Sequence, residues 1–225
     1  VRVRFGYVQL NHLNSARPVV KRVLQKLPYV LHHTLKAGII KASNKGGLIM
    51  ADYNQVVTPG DYENGVVNVV VEIPEGSSHK IEWNREKAYF ALDRVEPKIF
   101  AKPTNYGFIP QTLDEDGDEL DVLLITDAPL FTGVVVEAKI LGYMKFVDDG
   151  EVDDKIIAVP ADDRHTGNAY NSLEDLPAQL LKQIEFHFSH YKDLKKPGST
   201  GVEKFGDSAE AKQVVKDSIE RWNNQ

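Results

Sequence analysis

The residues best suited to chemistry lie between Asp114 and Asp121, where eight positions hold six carboxylates. Side chains this dense repel one another, and the repulsion raises their pKa values unless a cation lies among them. All-oxygen ligands favour a hard divalent ion such as Mg²⁺, Mn²⁺ or Ca²⁺ over zinc or copper. The apolar run 122–125 follows at once and predicts a buried strand. The acids therefore lie where a loop enters a sheet, which favours a metal site over a solvated acidic turn.

A calcium loop of the EF-hand type does not fit this stretch. A loop that starts at Asp114 has Gly117 at its fourth position, whereas the pattern requires glycine at the sixth. A loop that starts at Thr112 places the glycine correctly, but its twelfth residue is then Leu123 instead of a bidentate Glu. The spacing excludes an EF-hand.

Composition narrows the class of protein. At 225 residues the chain is long enough for one well-buried domain, and 42% hydrophobic with 27% charged residues is ordinary for a globular protein. The absence of cysteine excludes disulfide scaffolds, thiolate metal sites and cysteine nucleophiles. No apolar run approaches the roughly 20 residues of a membrane span. A net charge of −6 argues against non-specific nucleic-acid binding.

The charge is distributed unevenly along the chain. Residues 1–49 contain nine Lys and Arg and no acid, so all 33 Asp and Glu lie from Met50 onward. An acid-free, Arg-containing start is typical of organellar transit peptides, although serine is scarce here. We expect residues 1–49 to be a basic N-terminal extension, either not native or disordered, with a natural start at Met50. Organellar targeting remains the alternative to a cytoplasmic location.

The periodicity predicts short strands first and helices last. Strands are predicted at Val66–Pro74, His79–Trp83, Ala88–Leu92, Gly133–Tyr143 and Ile156–Val159. Helices are predicted at Leu176–Lys195 and, opened by an Asp207/Glu210 capping box, at Ala209–Trp222. The segment Pro103–Pro110 reads as a proline-bracketed loop. This order predicts an α+β domain whose antiparallel sheet closes into a small barrel.

A second acidic cluster, Asp148–Lys155, is predicted to form a hairpin loop. On the strand that begins at His79, alternation places Lys80 and Glu82 on one face. With Glu72, they form either a structural ion-pair cluster or the wall of a charged site. Carboxylates interleaved with Lys, Arg and Tyr suit an anionic substrate bridged to the protein through metal. Phosphoryl transfer needs this arrangement.

The motif Asp116-Gly117-Asp118-Glu119-Leu120-Asp121-Val122 resembles the signature of soluble family I inorganic pyrophosphatases of the bacterial type. The resemblance runs from about Pro59 to the C-terminus and includes Val71-Glu72-Ile73-Pro74, Lys80-Ile81-Glu82, Asp93-Arg94, Asn105-Tyr106-Gly107-Phe108, Asp148–Lys155 and His190-Tyr191-Lys192-Asp193. It implies an OB-like closed antiparallel β-barrel with flanking C-terminal helices. The implied reaction is metal-dependent hydrolysis of pyrophosphate to two orthophosphates.

The resemblance also implies a role for each site residue. Asp118 would be the general base for in-line attack of a metal-bridged water. The expected metal ligands are Asp116, Asp121, Asp153, Asp148 and Asp149. The expected substrate-binding residues are Lys80, Glu82, Arg94, Tyr106, Lys155, Tyr191 and Lys192. Glu72 would be a cavity acid. Lys102-Pro103 departs from the family, which often has Tyr before this proline, so Lys102 is left out of the predicted site.

The resemblance further implies Mg²⁺ as the cofactor, with Mn²⁺ substituting and Ca²⁺ inhibiting, and a homohexamer as in bacterial relatives. We expect pyrophosphate as the partner, and no nucleic acid or membrane. Two other functions were weighed. A non-catalytic OB-type module would need a basic, aromatic-lined groove, and a phosphatase for nucleotides or sugar phosphates would need apolar room for the organic part. The predicted site residues are nearly all charged, which disfavours both.

Overall fold

The computed structural model describes residues 52–165 and 167–225. The predicted extension 1–49 lies outside these residues, so its boundary and its role stay predictions. None of the helices in the described part of the chain combines the length and the apolar character of a membrane span.

Nine strands and three α-helices of residues 52–165 and 167–225 position the site. The strands are β1 Val66–Ile73, β2 His79–Asn84, β3 Tyr89–Val95, β4 Asn105–Phe108, β5 Asp121–Leu124, β6 Val135–Asp148, β7 Glu151–Val152, β8 Lys155–Pro160 and β9 Thr200–Asp207. The helices are α1 Tyr53–Val56, α2 Ala178–His190 and α3 Ser208–Asn223. Every predicted strand and helix is present, with ends shifted by a few residues.

The main sheet is organised around β6, which is long enough to pair with several strands in turn. Its first part pairs with β1, its middle with β8, and its end with β7 and β9. Since β1 also pairs with β4, β4 with β5, and β5 with β8, the pairings run in a ring of five strands. A separate β2–β3 hairpin completes the β structure. The OB-like closed barrel itself stays a prediction.

One pairing corrects the expectation of a wholly antiparallel sheet. Strands β5 and β8 are parallel, with Asp121 opposite Lys155. Parallel neighbours need a long connection between them, and here residues 125–154, which include β6 and β7, supply it. Asp121, the last carboxylate of the acidic stretch, is thereby placed beside Lys155.

The apolar run that follows the acidic loop is buried on both faces, as predicted. Val122 and Leu124 pack with α3 residues Ala211 and Val215. Leu123 points to the other face, where a second apolar cluster includes Ile184 and Phe188 of α2. A strand that is buried on both faces has a continuous run of apolar residues in its sequence, whereas apolar and polar residues alternate in a strand with one face exposed.

Three strands, β4, β7 and β9, were not predicted, and β7 lies inside the cluster Asp148–Lys155 that was predicted to be a loop. The segment between Pro103 and Pro110 contains β4, so its assignment as a loop was wrong. Its conformation is imposed by β1 and β5 on either side. A Cβ on Gly107 would lie 2.0 Å from the carbonyl oxygen of Val70, so only glycine allows this close pairing. Strand β9 was missed because its sequence mixes glycine and charged residues, and its partner is the distant β6.

The helices begin where the capping signals predicted. Asp207 accepts hydrogen bonds from the amides of Ala209 (2.8 Å) and Glu210 (2.9 Å), and the Glu210 side chain returns to the Asp207 amide. This is the predicted capping box at the start of α3. Pro177 is the N-cap of α2, where its missing N–H is not needed.

Candidate active site

A single cavity of about 260 Å³ gathers most of the predicted site. Twelve of the fourteen predicted residues line it: Glu72, Lys80, Glu82, Arg94, Tyr106, Asp116, Asp118, Asp121, Asp148, Asp153, Lys155 and Tyr191. The other two, Asp149 and Lys192, do not line the cavity but adjoin it, because Lys192 Nζ contacts both Asp148 and Asp149.

The first acidic loop divides into residues that hold the fold and residues that face the cavity. Asp114 is buried and accepts a hydrogen bond from Arg221 at 2.9 Å. Glu119 is buried too, and its carboxylate accepts hydrogen bonds from Arg85 Nε at 2.8 Å and from the side-chain amide of Asn54 at 2.6 Å. These pairings fix both ends of the loop, so that Asp116 and Asp118 project into the cavity. Gly117, with φ at +93°, makes the tight turn between them.

The two acidic loops are joined directly. The amide of Asp154 donates to Asp114 Oδ2 at 3.1 Å, and Asp154 Oδ1 accepts from the amide of Phe146. The second loop is the predicted hairpin, in which Asp149 (φ +54°) and Gly150 (φ +94°) form a two-residue turn between β6 and β7. Positive φ at both positions explains the Asp-Gly pair. Carboxylates far apart in sequence therefore face one cavity.

Lys155 is the central cation. Its side chain is buried, and Nζ contacts Asp121 at 2.7 Å and Asp153 at 2.5 Å. Burial alone lowers the pKa of a lysine, but these two carboxylates more than reverse that effect and raise the pKa of Lys155. The lysine is therefore charged, and it binds two of the predicted metal ligands.

Two tyrosines donate to carboxylates on the cavity wall. The Tyr106 hydroxyl donates to Asp121, and the Tyr191 hydroxyl donates to Asp148 at 2.7 Å. Burial first, and then the adjacent carboxylate, raises the pKa of each tyrosine. Both hydroxyls are therefore protonated donors at neutral pH.

The remaining wall comes from β1 and the β2–β3 hairpin. Glu72 is buried, and its Oε1 accepts from the Trp83 amide at 2.6 Å, which ties the hairpin to β1. Burial, followed by Asp121, raises the pKa of Glu72. Lys80 pairs with Glu82 on one face of β2, as the alternation predicted. Arg94 donates to Asp93 at 2.6 Å and also to Glu96.

The cavity carries more negative than positive charge. Nine carboxylates line it against four cations, Lys80, Arg94, Lys102 and Lys155. Burial and mutual repulsion raise the pKa values of Asp116 and Asp153. Within residues 52–165 and 167–225, no three acidic or histidine side chains already converge as a ligand cluster. The donor set and its charge excess nevertheless fit a hard divalent cation.

Asp118 differs from its neighbours because its carboxylate is unpaired. Asp121, Asp148 and Asp153 are paired with lysines. In the described chain, no hydrogen bond or salt bridge to the Asp118 side chain is present. Burial, and then Asp116 and Asp121, raise the pKa of Asp118 to about 6. A carboxylate with this pKa is suited to accept a proton near neutral pH.

The sequence prediction left out thirteen of the residues that line the cavity, and the ionisable ones among them are His79, Glu96, Lys102, Glu119 and His187. Burial, and then the charge of Lys155, lower the pKa of Lys102 to about 7. The sequence signal for this residue was its position before Pro103, where the family often has Tyr. His187 is 7% exposed, and among the described residues its Nε2 has no hydrogen-bond partner. No local pattern marked that histidine, since it lies on the apolar face of a helix.

Comparison with known proteins gives one consistent result. Residues 69–223 match the profile of the family described as inorganic pyrophosphatase. The inorganic pyrophosphatase of Haemophilus influenzae is 75% identical over 174 residues, 77% of this chain and 99% of that protein. The one from Neisseria meningitidis serogroup B is 73% identical over 176 residues, 78% and 99%. A crystal structure of an inorganic pyrophosphatase from Neisseria gonorrhoeae superposes with a TM-score of 0.76 at 72% identity, covering 76% of this chain and 99% of that one.

Proposed function

This chain belongs to the inorganic pyrophosphatase family and hydrolyses pyrophosphate, and we propose that Asp118 acts as the general base in a cavity that binds Mg²⁺. The observation that carries the proposal is the unpaired carboxylate of Asp118 in a cavity where Asp121, Asp148 and Asp153 are each bound to a lysine. It is free to accept a proton without first breaking an ion pair.

The residues that would hold divalent cations form two groups. The first group is Asp116, Asp121 and Asp153, and the second is Asp148 and Asp149. Mg²⁺ bound there would lower the pKa of water and screen the charge of pyrophosphate. Ligands composed only of oxygen also suit Mn²⁺ and Ca²⁺. The raised pKa values of Asp116 and Asp153 support a cation in this place, because a cation relieves the repulsion that raises them.

The chain's own residues supply the remaining steps. Asp118 orients the attacking water and takes its proton as the oxygen bonds to phosphorus. The bond to the bridging oxygen then breaks, and the leaving orthophosphate carries away the electron pair. Lys80, Arg94, Lys155 and Lys192 neutralise the phosphate oxygens, and Tyr106 and Tyr191 donate hydrogen bonds to them. Glu72, hydrogen-bonded to β2, holds this wall in place, and Glu82 orients Lys80.

The shape and charge of the cavity favour an inorganic substrate. Its volume is about 260 Å³, and most of its lining residues carry charge. Nucleotides and sugar phosphates need apolar contacts for their organic part. The OB-like barrel, the homohexamer and a cytoplasmic location stay predictions from the resemblance. Light scattering of the full chain tests the hexamer.

The experiment compares Asp118→Asn with Glu115→Gln, which removes an exposed carboxylate from the same loop. We expect Asp118→Asn to lower turnover by about 10²–10⁴-fold, since an amide accepts no proton. Metal binding, measured by calorimetry, should be retained, and Glu115→Gln should behave as wild type. Near-normal turnover in Asp118→Asn would remove it from the base role. Loss of metal binding in that variant would make it a ligand instead.

A further inference from the structure

Lys102 is the one cation of the cavity lining that forms no salt bridge within the described residues. Lys80, Arg94 and Lys155 all form salt bridges. Among the described residues, Lys102 forms none, and its ammonium makes no hydrogen bond. Hydrogen bonds fix its backbone, because its amide donates to the carbonyl of Ser77 at 2.9 Å and its own carbonyl accepts from the amide of Gly76 at 2.9 Å.

Aromatic rings hold the Lys102 side chain over the cavity. Its Nζ lies 4.1 Å from the ring centroid of Tyr106, 4.9 Å from that of Phe188 and 5.6 Å from that of Tyr191. Ring faces attract a cation without occupying its N–H donors in conventional hydrogen bonds. The ammonium is thus positioned beside the two tyrosines while its donors stay available for a ligand.

This arrangement differs from that of the other cavity cations. Pyrophosphate has to compete with Asp121 and Asp153 for the donors of Lys155, and with Glu82 for those of Lys80. For Lys102, no such competition exists in the part of the chain that the structure describes. Burial, and then the charge of Lys155, lower the pKa of Lys102, although Asp121 and Asp153 act in the opposite direction.

We propose that Lys102 is a substrate-binding residue whose ammonium donates directly to a phosphate oxygen of pyrophosphate. The inference rests on the proposed function, since it places the substrate in the same cavity. It adds Lys102 to the cations that the resemblance predicted for the site. A charge-assisted hydrogen bond of this kind corresponds to a loss of about 10–100-fold in affinity when it is removed.

The test measures binding of methylenediphosphonate, a diphosphate analogue that is not hydrolysed, by calorimetry at fixed Mg²⁺. We expect Lys102→Met to weaken binding about 10–100-fold and to lower kcat/KM for pyrophosphate by a similar factor. Lys102→Arg should restore most of both losses. Lys98→Met is the matched control, because Lys98 is exposed and lies four residues away, and it should bind as wild type.

Unchanged analogue affinity in Lys102→Met overturns the inference. Equal losses in Lys102→Met and Lys102→Arg also overturn it, because packing rather than charge would then account for them. Asp121→Ala in the same titration separates this inference from the proposed function. If Asp121→Ala weakens binding and Lys102→Met does not, only the role of Lys102 fails. If neither weakens binding, the cavity itself is not the substrate site, and both fail.

Discussion

Replacing the buried His187 with phenylalanine should make the folded protein less sensitive to acid. His187 lies on α2, with its ring parallel to that of Tyr191 at 5.8 Å and edge-on to that of Phe188 at 4.9 Å. Burial, and then the charge of Lys102, lower the pKa of His187 from 6.5 to about 3. The histidine is therefore neutral in the folded protein at pH values well above 3.

The magnitude follows from the difference between the two states. In the unfolded chain the pKa returns to 6.5, so the unfolded state binds more protons between pH 6.5 and pH 3. Stability consequently falls as the pH falls through this window. Between pH 7 and pH 5 this one group removes about 2 kcal/mol from the free energy of unfolding. Phenylalanine has a similar shape and no proton to bind.

Urea unfolding of the full chain at pH 7 and pH 5, followed by tryptophan fluorescence, measures the effect. We expect the drop in unfolding free energy over this interval to be about 2 kcal/mol smaller in His187→Phe than in wild type. His190→Phe, on the same helix but half-exposed, controls for adding a phenylalanine to α2. An identical pH dependence in His187→Phe and wild type would refute the reasoning, since His187 would then not be held neutral by its surroundings.

Three other predictions concern the metal, the N-terminus and α3. At fixed Mg²⁺, an increasing concentration of Ca²⁺ should inhibit phosphate release. Ca²⁺ takes 6–8 ligands at about 2.3–2.6 Å, whereas Mg²⁺ requires near-octahedral geometry at about 2.0–2.1 Å. Full turnover with Ca²⁺ alone would contradict this prediction. A chain that starts at Met50 should hydrolyse pyrophosphate as well as the full chain, since relatives of about this length match 99% of their own sequence, and a loss of activity would show that residues 1–49 are needed. Asp207→Ala should lower the unfolding free energy by about 1 kcal/mol through loss of the α3 cap, and an unchanged urea midpoint would show that the packing of α3 is sufficient.

Much of the fold was readable because local signals coincide with what the tertiary structure requires. The apolar run after Asp121 is buried on both faces, the Asp149-Gly150 pair forms a hairpin turn, and Asp207 with Glu210 caps α3. In each case, one short segment contains the whole physical reason for its conformation.

The elements that were missed owe their conformation to distant partners. Strand β4 is short and glycine-containing, and its pairing with β1 and β5 makes it a strand. The parallel alignment of β5 and β8 depends on where the chain returns after β6, which no local pattern specifies.

The predicted site was readable for a different reason, namely the density of carboxylates and the resemblance that their spacing carries. The sequence did not separate the acids that hold the fold from those that face the cavity. Asp114 belongs to the first group because Arg221 contacts it from α3, whereas Glu119 pairs with Arg85 and also lines the cavity. Lys102 was left out because the family often has Tyr before this proline, and only the folded structure reveals that this lysine forms no salt bridge with a described residue.

The alignment of Asp121 with Lys155 across the parallel strands has a consequence for how this enzyme tolerates insertions and deletions. The two residues are opposite each other in the sheet, so their separation is set by strand register and not by the length of any loop. A residue inserted into the hairpin turn at Asp149-Gly150 would leave that alignment intact. A residue inserted within β5 or β8 would turn the following side chains to the opposite face. Length variation among functional homologues should therefore be confined to the turns, and the strands that carry Asp121 and Lys155 should stay free of gaps.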